Sequence, residues 1–423
     1  MLQLQVIRQD PQAVKERLAI KHFPEPELVD EVLRLDDERR KLQAESDNNL
    51  SKVNAVSKEI GQLMANGQKE EAENRKAVVA NLKLTRQPLS EKLSATEKEL
   101  QEMLVRLPNL PFHSVPKGKT PAENKLVKEN GNLPTLAANA LPHWDLIKKY
   151  DIVDFETGAL ITGSGFPLYK GKGAKLQRAL IQYFLDYNIA EGYTEYLPPL
   201  MVNETTAFGT GQLPDKEGQM YHMREDNFYM IPTSEVPLTN IYRDKILKES
   251  DLPIKMTSYT PCFRREAGSF GKEVRGLNRV HQFDKVEIVQ ITYPEKSYEA
   301  HEEMVAHVEK LLKSLELPYR ILNLCGGDMS FASALTYDFE VWSAAQQRWL
   351  EVSSVSNFET FQTNRMKIRY KDSNGKTQLL HSLNGSSLAL PRIVACLLEN
   401  NQVENKINLP LVLRPYTGFD IIE

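Results

Sequence analysis

Apolar residues between positions 28 and 107 recur at alternating spacings of three and four, and glycine almost disappears there. This heptad pattern predicts two amphipathic helices that pack together as a coiled coil. Asn66-Gly67 lies between the two series and is a strong turn signal, so the helices should form an antiparallel hairpin. At ~1.5 Å per residue, each helix should extend for on the order of 55 to 60 Å. The predicted seam consists of Val32, Leu35, Leu42, Val53, Val56, Ile60 and Leu63, then Val79, Leu82, Leu89, Leu93, Leu100, Met103 and Leu107.

Prolines mark the end of this hairpin. Residues 107–111 contain two of them, and a lysine-rich stretch with further proline and glycine follows. Proline stops helix formation, so we predict an N-terminal domain at 1–110, a connector at 111–141 and a body at 142–423. Pro88 should kink or locally open the second helix. A hairpin of this kind, taken alone, is typical of a dimerisation or spacer element.

Within the body, residues 281–289 carry charges where a structural strand would carry apolar groups. The period of two in a strand puts Phe283, Lys285 and Glu287 on one face. Val286 and Ile288 then face the other way. An aromatic ring beside a cation and a carboxylate suits a nucleotide with a charged co-substrate, although a surface strand with cross-strand ion pairs would look the same.

The segment before this strand favours the nucleotide. Arg264 and Glu266 precede a loop that is both basic and rich in glycine. Glycine permits unusual backbone angles, and arginine offers a planar fork of donors to phosphate, so such a loop can close over an anion. The loop contains Gly268, Gly271 and Gly276 together with Lys272, Arg275 and Arg279.

Composition narrows the possibilities. The chain of 423 residues is long enough for two or three globular domains, and its net charge of -4 provides no global attraction to nucleic acid. Any RNA contact therefore needs a local basic patch. Cys262, Cys325 and Cys396 form no CxxC pair, which argues against a disulfide framework and a structural zinc. No apolar run suggests a signal peptide or a membrane span, so we expect a cytoplasmic protein without a membrane partner.

Residues 263–287 resemble motif 2 of the class II aminoacyl-tRNA synthetases, and in detail that of the seryl-tRNA synthetase family. The shared pattern is FRxEAG, a basic loop, then RGLxRxHQFxKxE. The resemblance implies an α+β fold with an antiparallel β-sheet core flanked by helices and an N-terminal coiled-coil arm. It implies ATP-dependent activation of L-serine and transfer of the seryl group to tRNA(Ser), and leaves tRNA(Sec) open. It also implies a homodimer that uses ATP and Mg²⁺.

Three further segments resemble motifs of the same family. A helix at 174–186 followed by a proline-ended strand at 193–200 is similar to motif 1, which forms the dimer interface, although alone it means only a buried helix and an edge strand. Thr233-Ser234-Glu235 could be a helix N-cap, and by resemblance belongs to the serine pocket. A small-residue turn, HSLNGSS, opening a helix at 388–400 resembles motif 3.

The resemblance implies a role for each candidate side chain. Arg264 bridges the serine carboxylate and the α-phosphate, Glu266 reads the adenine amino group, and Phe283 stacks on adenine. Glu287 binds the serine ammonium or hydroxyl. Arg392 holds the γ-phosphate, although a solvated charge is the usual case for such an arginine. Glu351, on a strand with Ser354 at its end, binds Mg²⁺. The set is completed by Arg265, Val352 and Ser353 at ATP, by Ser234, Asn384 and Ser386 at serine, and by Lys76, Lys83 and Arg86 at tRNA.

Three alternatives remain open from the sequence. A synthetase paralogue that loads an amino acid onto a carrier protein would lack the arm. A class II synthetase for another amino acid would lack the TSE and HSLNGSS matches. A non-catalytic tRNA-binding or coiled-coil protein would show decay at Arg264, Glu266 or Arg392, and all three are present.

Overall fold

The computed structural model describes residues 1–267 and 275–423. It divides the chain into two compact units. The N-terminal unit comprises Met1–Ala19 and Phe23–Pro108, and the second unit, here called the body, comprises Ile20–His22 and Asn109–Glu423.

The N-terminal unit is helical. Short helices α1 (Leu4–Gln9) and α2 (Pro11–Ile20) precede two helices of 38 residues each, α3 (Leu28–Ala65) and α4 (Lys69–Arg106). The two long helices pack against each other as the predicted hairpin, and Gly67 in the turn has a φ of 77°. A positive φ is a conformation that glycine adopts without steric cost.

The hairpin seam follows the predicted heptads. Val32, Leu35, Leu42 and Val53 of α3 are buried, as are Val79 and Leu100 of α4. Salt bridges cross between the helices from Arg75 to Glu59 at 3.3 Å and from Lys92 to Glu38 at 3.1 Å. Helix α4 is continuous across the exposed Pro88, so this proline does not end the helix.

The body is built on one large sheet. In its described part, eight strands join in the order β1-β11-β12-β13-β16-β10-β9-β4, antiparallel except that β4 runs parallel to β9. The predicted α+β class with an antiparallel core is therefore confirmed. The strands are β1 (Lys125–Asn130), β2 (Val153–Asp154), β3 (Leu168–Tyr169), β4 (Thr194–Glu195), β5 (Met201–Asn203), β6 (His222–Met223), β7 (Phe228–Met230), β8 (Ile246–Leu247), β9 (Ile254–Phe263), β10 (Gln282–Thr292), β11 (Tyr319–Asn323), β12 (Leu335–Ser343), β13 (Arg348–Asn357), β14 (Arg369–Lys371), β15 (Thr377–Leu379), β16 (His381–Ala389), β17 (Gln402–Val403), β18 (Lys406–Asn408) and β19 (Ile421–Ile422).

Helices cover one face of this sheet. The apolar stripes of α7, α10 and α12 form the main core with the strands, and Val286 and Ile288 of β10 lie fully buried within it. The alternate residues of β10 therefore face the opposite side of the sheet. The body helices are α5 (His143–Lys149), α6 (Phe155–Ile161), α7 (Gly171–Ala190), α8 (Glu204–Thr210), α9 (Glu235–Asn240), α10 (Ser297–Ser314), α11 (Phe361–Met366), α12 (Leu390–Asn400) and α13 (Arg414–Thr417).

Local structure differs from the prediction in three places. The HSLNGSS segment is a strand, β16, in the middle of the sheet, and not a turn; helix α12 begins only at Leu390. The strand predicted at 193–200 is reduced to the two residues of β4, because the prolines that follow have no N–H to donate to a neighbouring strand. The predicted connector contributes β1 to the edge of the sheet through pairing with β11.

Two predictions from composition can be compared with the structure. Cys262, Cys325 and Cys396 are buried free thiols. None of the helices in the described ranges combines the length and apolar character that crossing a membrane requires.

Candidate active site

A cavity of about 690 Å³ opens on the side of the sheet opposite to the helical core. The segment that follows β9, strands β10, β13 and β16, and the first turn of α12 all contribute side chains to its wall. Most of the residues singled out in the sequence line it, namely Thr233, Glu235, Arg264, Glu266, Phe283, Glu287, Glu351, Val352, Ser353, Ser354, Asn384, Ser386 and Arg392.

One end of the cavity holds a buried ion pair. Lys285 and Glu287 are both at least nine-tenths buried and form a salt bridge. The Lys285 ammonium donates to the Thr233 hydroxyl oxygen at 2.8 Å, and this hydroxyl donates to Glu287 Oε2 at 3.2 Å. Phe283, Lys285 and Glu287 share the cavity face, as the strand alternation predicted.

A second carboxylate lies beside this pair. Glu235, the first residue of α9, accepts a hydrogen bond from Gln362 Nε2 at 2.6 Å. Burial, followed by the neighbouring Glu287 carboxylate, raises the pKa of Glu235 to about 7. This end of the cavity therefore combines one carboxylate that is half-protonated near neutral pH with a second that is paired to a lysine.

Strand β16, which pairs with β10 opposite Glu287, adds further polar side chains to the cavity. Asn384 and Ser386 are adjacent on one side of this strand, and both are more than nine-tenths buried. The Ser353 hydroxyl of β13 donates to the Ser386 carbonyl at 2.6 Å, which ties the two strands together below the cavity. The polar side chains of β16 thus point into the site from a rigid element and not from a turn.

An aromatic ring and an arginine form the middle of the cavity. The Arg264 guanidinium carbon lies 5.2 Å from the centroid of the Phe283 ring. Arg264 follows directly after β9, and its backbone N–H donates to the His281 carbonyl at 2.9 Å, so the start of the loop is held to the start of β10. Glu266 has a φ of 49° and pairs with Arg279 at 3.3 Å.

The far end of the cavity is lined by oxygen ligands and an arginine. The Ser354 hydroxyl donates to Asp338 Oδ1 at 2.6 Å and lies 3.4 Å from Glu351 Oε1. Burial, followed by the nearby Glu351 carboxylate, raises the pKa of Asp338 well above its ordinary value. Arg392 Nη1 lies 3.5 Å from Glu351 Oε2, and Arg392 Nε donates to the Asn278 carbonyl at 2.9 Å.

A bulge in β13 brings Glu351 and Ser354 together. Glu351 pairs with Glu340 and Ser353 with Phe339, so Val352 has no partner in the ladder of β12. One extra residue rotates the strand locally and allows positions three apart to share a side. The strand continues beyond Ser354 to Asn357, whereas the sequence predicted that it ends at Ser354.

Two predicted residues do not line the cavity. Ser234 is fully buried below the first turn of α9, and among the described residues its hydroxyl has no hydrogen-bond partner. Arg265 is exposed, and its backbone N–H donates to the Gln219 carbonyl at 2.8 Å. Neighbouring residues in a loop or short helix point in different directions, and the pattern gave no means to separate Ser234 from Thr233 and Glu235.

The basic residues of the predicted loop have different surroundings. Arg279 lines the cavity, whereas Arg275 lies over the Trp144 ring with its guanidinium carbon 4.6 Å from the centroid. Lys272, with Gly268 and Gly271, lies outside the described residues.

The sequence missed two residues of the wall, Lys285 and Asn278, and one residue that hydrogen-bonds to the wall, Asp338. Lys285 was placed on the correct face but received no role, although a lysine between two inward-facing residues was a usable signal. Asn278 lies within the motif 2 resemblance, but at a position that the pattern leaves open, and Asp338 lies in a segment without any motif. Only the fold brings Asn278 to Arg392 and Asp338 to Ser354.

Metal-binding clusters and the predicted tRNA contacts on α4 can also be compared with the structure. Within residues 1–267 and 275–423, no three His, Cys, Asp or Glu side chains are grouped as a metal cage. On α4, Lys76, Lys83 and Arg86 are all exposed, and Lys76 pairs with Glu73 at 2.5 Å.

Comparison with known proteins gives consistent matches. The family model described as "Seryl-tRNA synthetase N-terminal domain" matches residues 1–111, and that described as "tRNA synthetase class II core domain (G, H, P, S and T)" matches residues 220–401. A serine–tRNA ligase of Salinibacter ruber is 50% identical over 421 residues, covering 99% of this chain and 98% of that protein. One of Chlorobaculum parvum is 46% identical over the full length of both.

Solved structures are similar over the same extent. The seryl-tRNA synthetase of Pyrococcus horikoshii complexed with ATP is 33% identical, with a TM-score of 0.92 over 100% of this chain and 99% of that one. The cytoplasmic serine–tRNA ligase of Naegleria fowleri in complex with AMP is 26% identical, with a TM-score of 0.87 over 100% and 99%.

Proposed function

The chain belongs to the seryl-tRNA synthetase family, and we propose that its cavity binds L-serine at the Thr233 and Glu287 end and ATP along Phe283 and Arg392. The enzyme activates L-serine with ATP to seryl-adenylate and transfers the seryl group to the 3′ end of tRNA(Ser). The observation that supports this division is the single cavity in which a carboxylate-rich end adjoins an aromatic and arginine-lined groove.

The carboxylate end suits the amino and hydroxyl groups of serine. Glu235 and Glu287 offer acceptors to the ammonium, and Thr233 and Glu287 can pair with the hydroxyl. A pocket built around a substrate hydroxyl rejects alanine strongly, because its own polar groups would be left unpaired. Threonine has to be excluded sterically, since it differs by only one methyl.

The remaining groups suit the nucleotide. Phe283 offers its ring to adenine, and Glu266 offers a carboxylate to the adenine amino group. Arg264 lies near this ring and can bridge the serine carboxylate and the α-phosphate. Arg392 provides a donor for the γ-phosphate.

The reaction needs no protein nucleophile. The serine carboxylate attacks the α-phosphate, the acyl-phosphate bond forms, and pyrophosphate leaves. Negative charge develops on phosphate oxygens, so the side chains contribute by positioning the reactants and by stabilising that charge. Arg264 lies at the reacting phosphate in this arrangement and Arg392 on the leaving group.

Mg²⁺ fits the ligands at the phosphate end. Mg²⁺ prefers one or two carboxylates together with phosphate and water oxygens, and Glu351 and Ser354 provide a carboxylate and a hydroxyl 3.4 Å apart. These two residues would hold the ion. When bound, it neutralises charge on the phosphates of ATP.

Two partners complete the proposal. Lys76, Lys83 and Arg86 on the exposed side of α4 contact phosphates of tRNA(Ser), with tRNA(Sec) left open as a second substrate. A homodimer forms through the segment that contains α7 and β4. Leu197, which follows β4 in the sequence, has 85% of its surface exposed in the single chain. Contact with a second copy of the chain would cover this apolar side chain.

Pyrophosphate exchange across a panel of amino acids tests the proposed substrate. ATP–pyrophosphate exchange should depend on serine, with alanine and threonine inactive at matched concentrations. Exchange with a different amino acid would overturn the pocket assignment, and transfer of the activated serine to a carrier protein but not to tRNA would favour the paralogue.

Glu287→Ala should separate the two ends of the cavity. We expect serine-dependent exchange to be abolished while ATP binding, measured by calorimetry, stays within about twofold. The change leaves Lys285 buried without its carboxylate, which destabilises a protein by about 3–5 kcal/mol. The double variant Glu287→Ala, Lys285→Met removes that charge, so it controls for folding, and normal serine activation in it would contradict the assignment.

A further inference from the structure

A buried polar cluster is joined by hydrogen bonds to Leu277 and Asn278, which line the cavity. Its centre is Glu399 near the end of α12, whose side chain is fully buried. Glu399 Oε1 accepts from the backbone N–H of His143 at 2.9 Å and from His143 Nδ1 at 2.8 Å. Glu399 Oε2 accepts from the Ser343 hydroxyl and from the Ala345 N–H at 3.2 Å.

Glu399 is surrounded by donors. Although burial opposes its ionisation, hydrogen bonds from His143 and Ser343 hold the pKa of Glu399 below its ordinary value. A carboxylate accepts hydrogen bonds with both oxygens and donates none, whereas a glutamine would turn an N–H toward one of these donors. The ionised carboxylate is therefore matched to this position.

His143 connects Glu399 to residues 276–278, the segment that contributes to the cavity wall. The backbone N–H of Leu277 donates to His143 Nε2 at 2.9 Å, so Nε2 is the unprotonated nitrogen and Nδ1 donates to Glu399. Gly276 comes so close to the ring that a Cβ there would lie 2.4 Å from His143 Nε2. This close approach holds residues 276–278 against α5.

A second path runs through Gln346. Its side-chain amide donates to Glu399 Oε1 at 3.1 Å and pairs with the Asn278 side chain at 2.9 Å. The backbone carbonyl of Asn278 in turn accepts from Arg392 Nε at 2.9 Å. The path through His143 therefore ends at Leu277, and the path through Gln346 ends at its neighbour Asn278. The Asn278 carbonyl holds the Arg392 guanidinium together with the Glu351 carbonyl, which accepts from Arg392 Nη1 at 2.6 Å.

We propose that Glu399 is a positioning residue for ATP: through His143 and Gln346 it fixes Asn278, and the Asn278 carbonyl sets the direction of the Arg392 guanidinium. This inference rests on the proposed role of Arg392 at the γ-phosphate. A displacement of about 1 Å in a positioning group can lower rates on the order of a hundredfold. Glu399 itself is fully buried and does not line the cavity.

The test is exchange kinetics with ATP and serine varied separately. Glu399→Gln should raise KM for ATP about tenfold and leave KM for serine within about twofold. Asn400→Ala is the matched control, because Asn400 is the next residue of α12 and holds the Trp342 carbonyl and the Ala344 N–H but contacts neither His143 nor residues 276–278. It should lower Tm without changing KM for ATP.

A double variant with Arg392 distinguishes a positioning role of Glu399 from a purely structural role. Because Glu399 acts through Arg392, the double variant Glu399→Gln, Arg392→Ala should have the same KM for ATP as Arg392→Ala alone. A lowered Tm with wild-type KM for ATP in Glu399→Gln, or fully additive effects in the double variant, would overturn the inference. An unchanged KM for ATP in Arg392→Ala would instead overturn the γ-phosphate role from which the inference starts.

Gln346→Met provides a second variant at a half-buried position. If Glu399→Gln does not fold, Gln346→Met tests the proposal in its place. This change removes the hydrogen bonds from Gln346 to Asn278 and leaves the Glu399 carboxylate intact. We expect a rise in KM for ATP of about threefold to fivefold, with KM for serine unchanged. A wild-type KM for ATP in this variant would overturn the proposal.

Discussion

At the residue scale, the proposed place of Glu235 beside the serine ammonium makes serine binding depend on the protonation of this carboxyl. Its pKa is raised to about 7, chiefly by burial and then by Glu287, so the neutral form dominates below that pH. The serine ammonium favours the ionised form. We therefore expect the dissociation constant of serine to rise as pH falls below about 7, approaching tenfold per pH unit, as measured by calorimetry between pH 5.5 and 8.5.

Glu235→Gln is the control for this pH dependence. Glutamine cannot ionise, so serine binding should be weak throughout and nearly independent of pH in this range. Since an acid with a raised folded pKa loses stability as pH rises, the wild-type enzyme without serine should also lose stability between pH 4.5 and about 7. A serine affinity that is flat with pH in the wild type would contradict the assignment of Glu235.

Single residues also show how far sequence reasoning reached. The alternation along residues 283–288 correctly separated the side chains facing the cavity from those in the core, because a strand has a fixed period. Ser234 and Arg265 do not line the cavity, since each lies where the backbone leaves a regular element and the side-chain direction depends on the tertiary packing. A motif resemblance therefore identifies the segment that forms the cavity more reliably than it identifies which side chains of that segment face the cavity.

At the element scale, β16 is the main difference from the predicted structure. Small and polar residues with a central glycine indicated a turn, but in the fold they occupy a central strand between β10 and β13. Residue preference for strands depends strongly on the neighbours, which a local pattern does not contain. The bulge in β13 could not be predicted from the sequence either, because it depends on how β13 pairs with β12.

Gly385→Ala tests whether this strand must pack closely. Gly385 lies opposite Ile288 on one side and Val355 on the other, and a Cβ there would lie 3.0 Å from Val355 Cγ2. We expect the free energy of unfolding to fall by about 1–3 kcal/mol, measured by denaturant titration. KM for serine should rise as well, because Asn384 and Ser386 flank this residue.

Val355→Ala provides a test of rescue, since it removes the two methyl groups that meet the new Cβ. The double variant Gly385→Ala, Val355→Ala should be more stable than the sum of the two single effects predicts. Strict additivity would show that the close approach of β16 and β13 does not limit the residue at this position.

At the scale of the whole molecule, the net charge of -4 means that tRNA binding depends on local basic residues. Replacing Lys76, Lys83 and Arg86 by alanine should raise KM for tRNA and leave serine-dependent exchange unchanged. The salt dependence of tRNA binding should weaken, with its logarithmic slope reduced by about two to three, at ~0.9 per phosphate contact. Filter binding at several salt concentrations measures this slope.

Lys41→Ala with Lys98→Ala is the control, because both lysines are exposed on the same hairpin, one on α3 and one on α4. An equal loss of tRNA affinity in the control would show that the arm attracts tRNA through its general charge. An unchanged slope in the triple variant would exclude these three residues as phosphate contacts.

The two units differ in how well the sequence predicted them. The bounds of the hairpin helices follow directly from heptads, a turn signal and prolines, because a coiled coil is determined by local periodicity. The sheet order of the body depends on pairings between distant strands, such as β1 with β11, which no periodicity encodes.

The division of one cavity between serine and ATP is the central claim, and a crystal structure with a non-hydrolysable sulfamoyl analogue of seryl-adenylate tests it most directly. We predict adenine on the Phe283 ring, the sulfamoyl group at Arg264, and the ammonium within hydrogen-bond distance of Glu235 or Glu287. An analogue bound in the reverse direction, or adenine away from Phe283, would contradict the account.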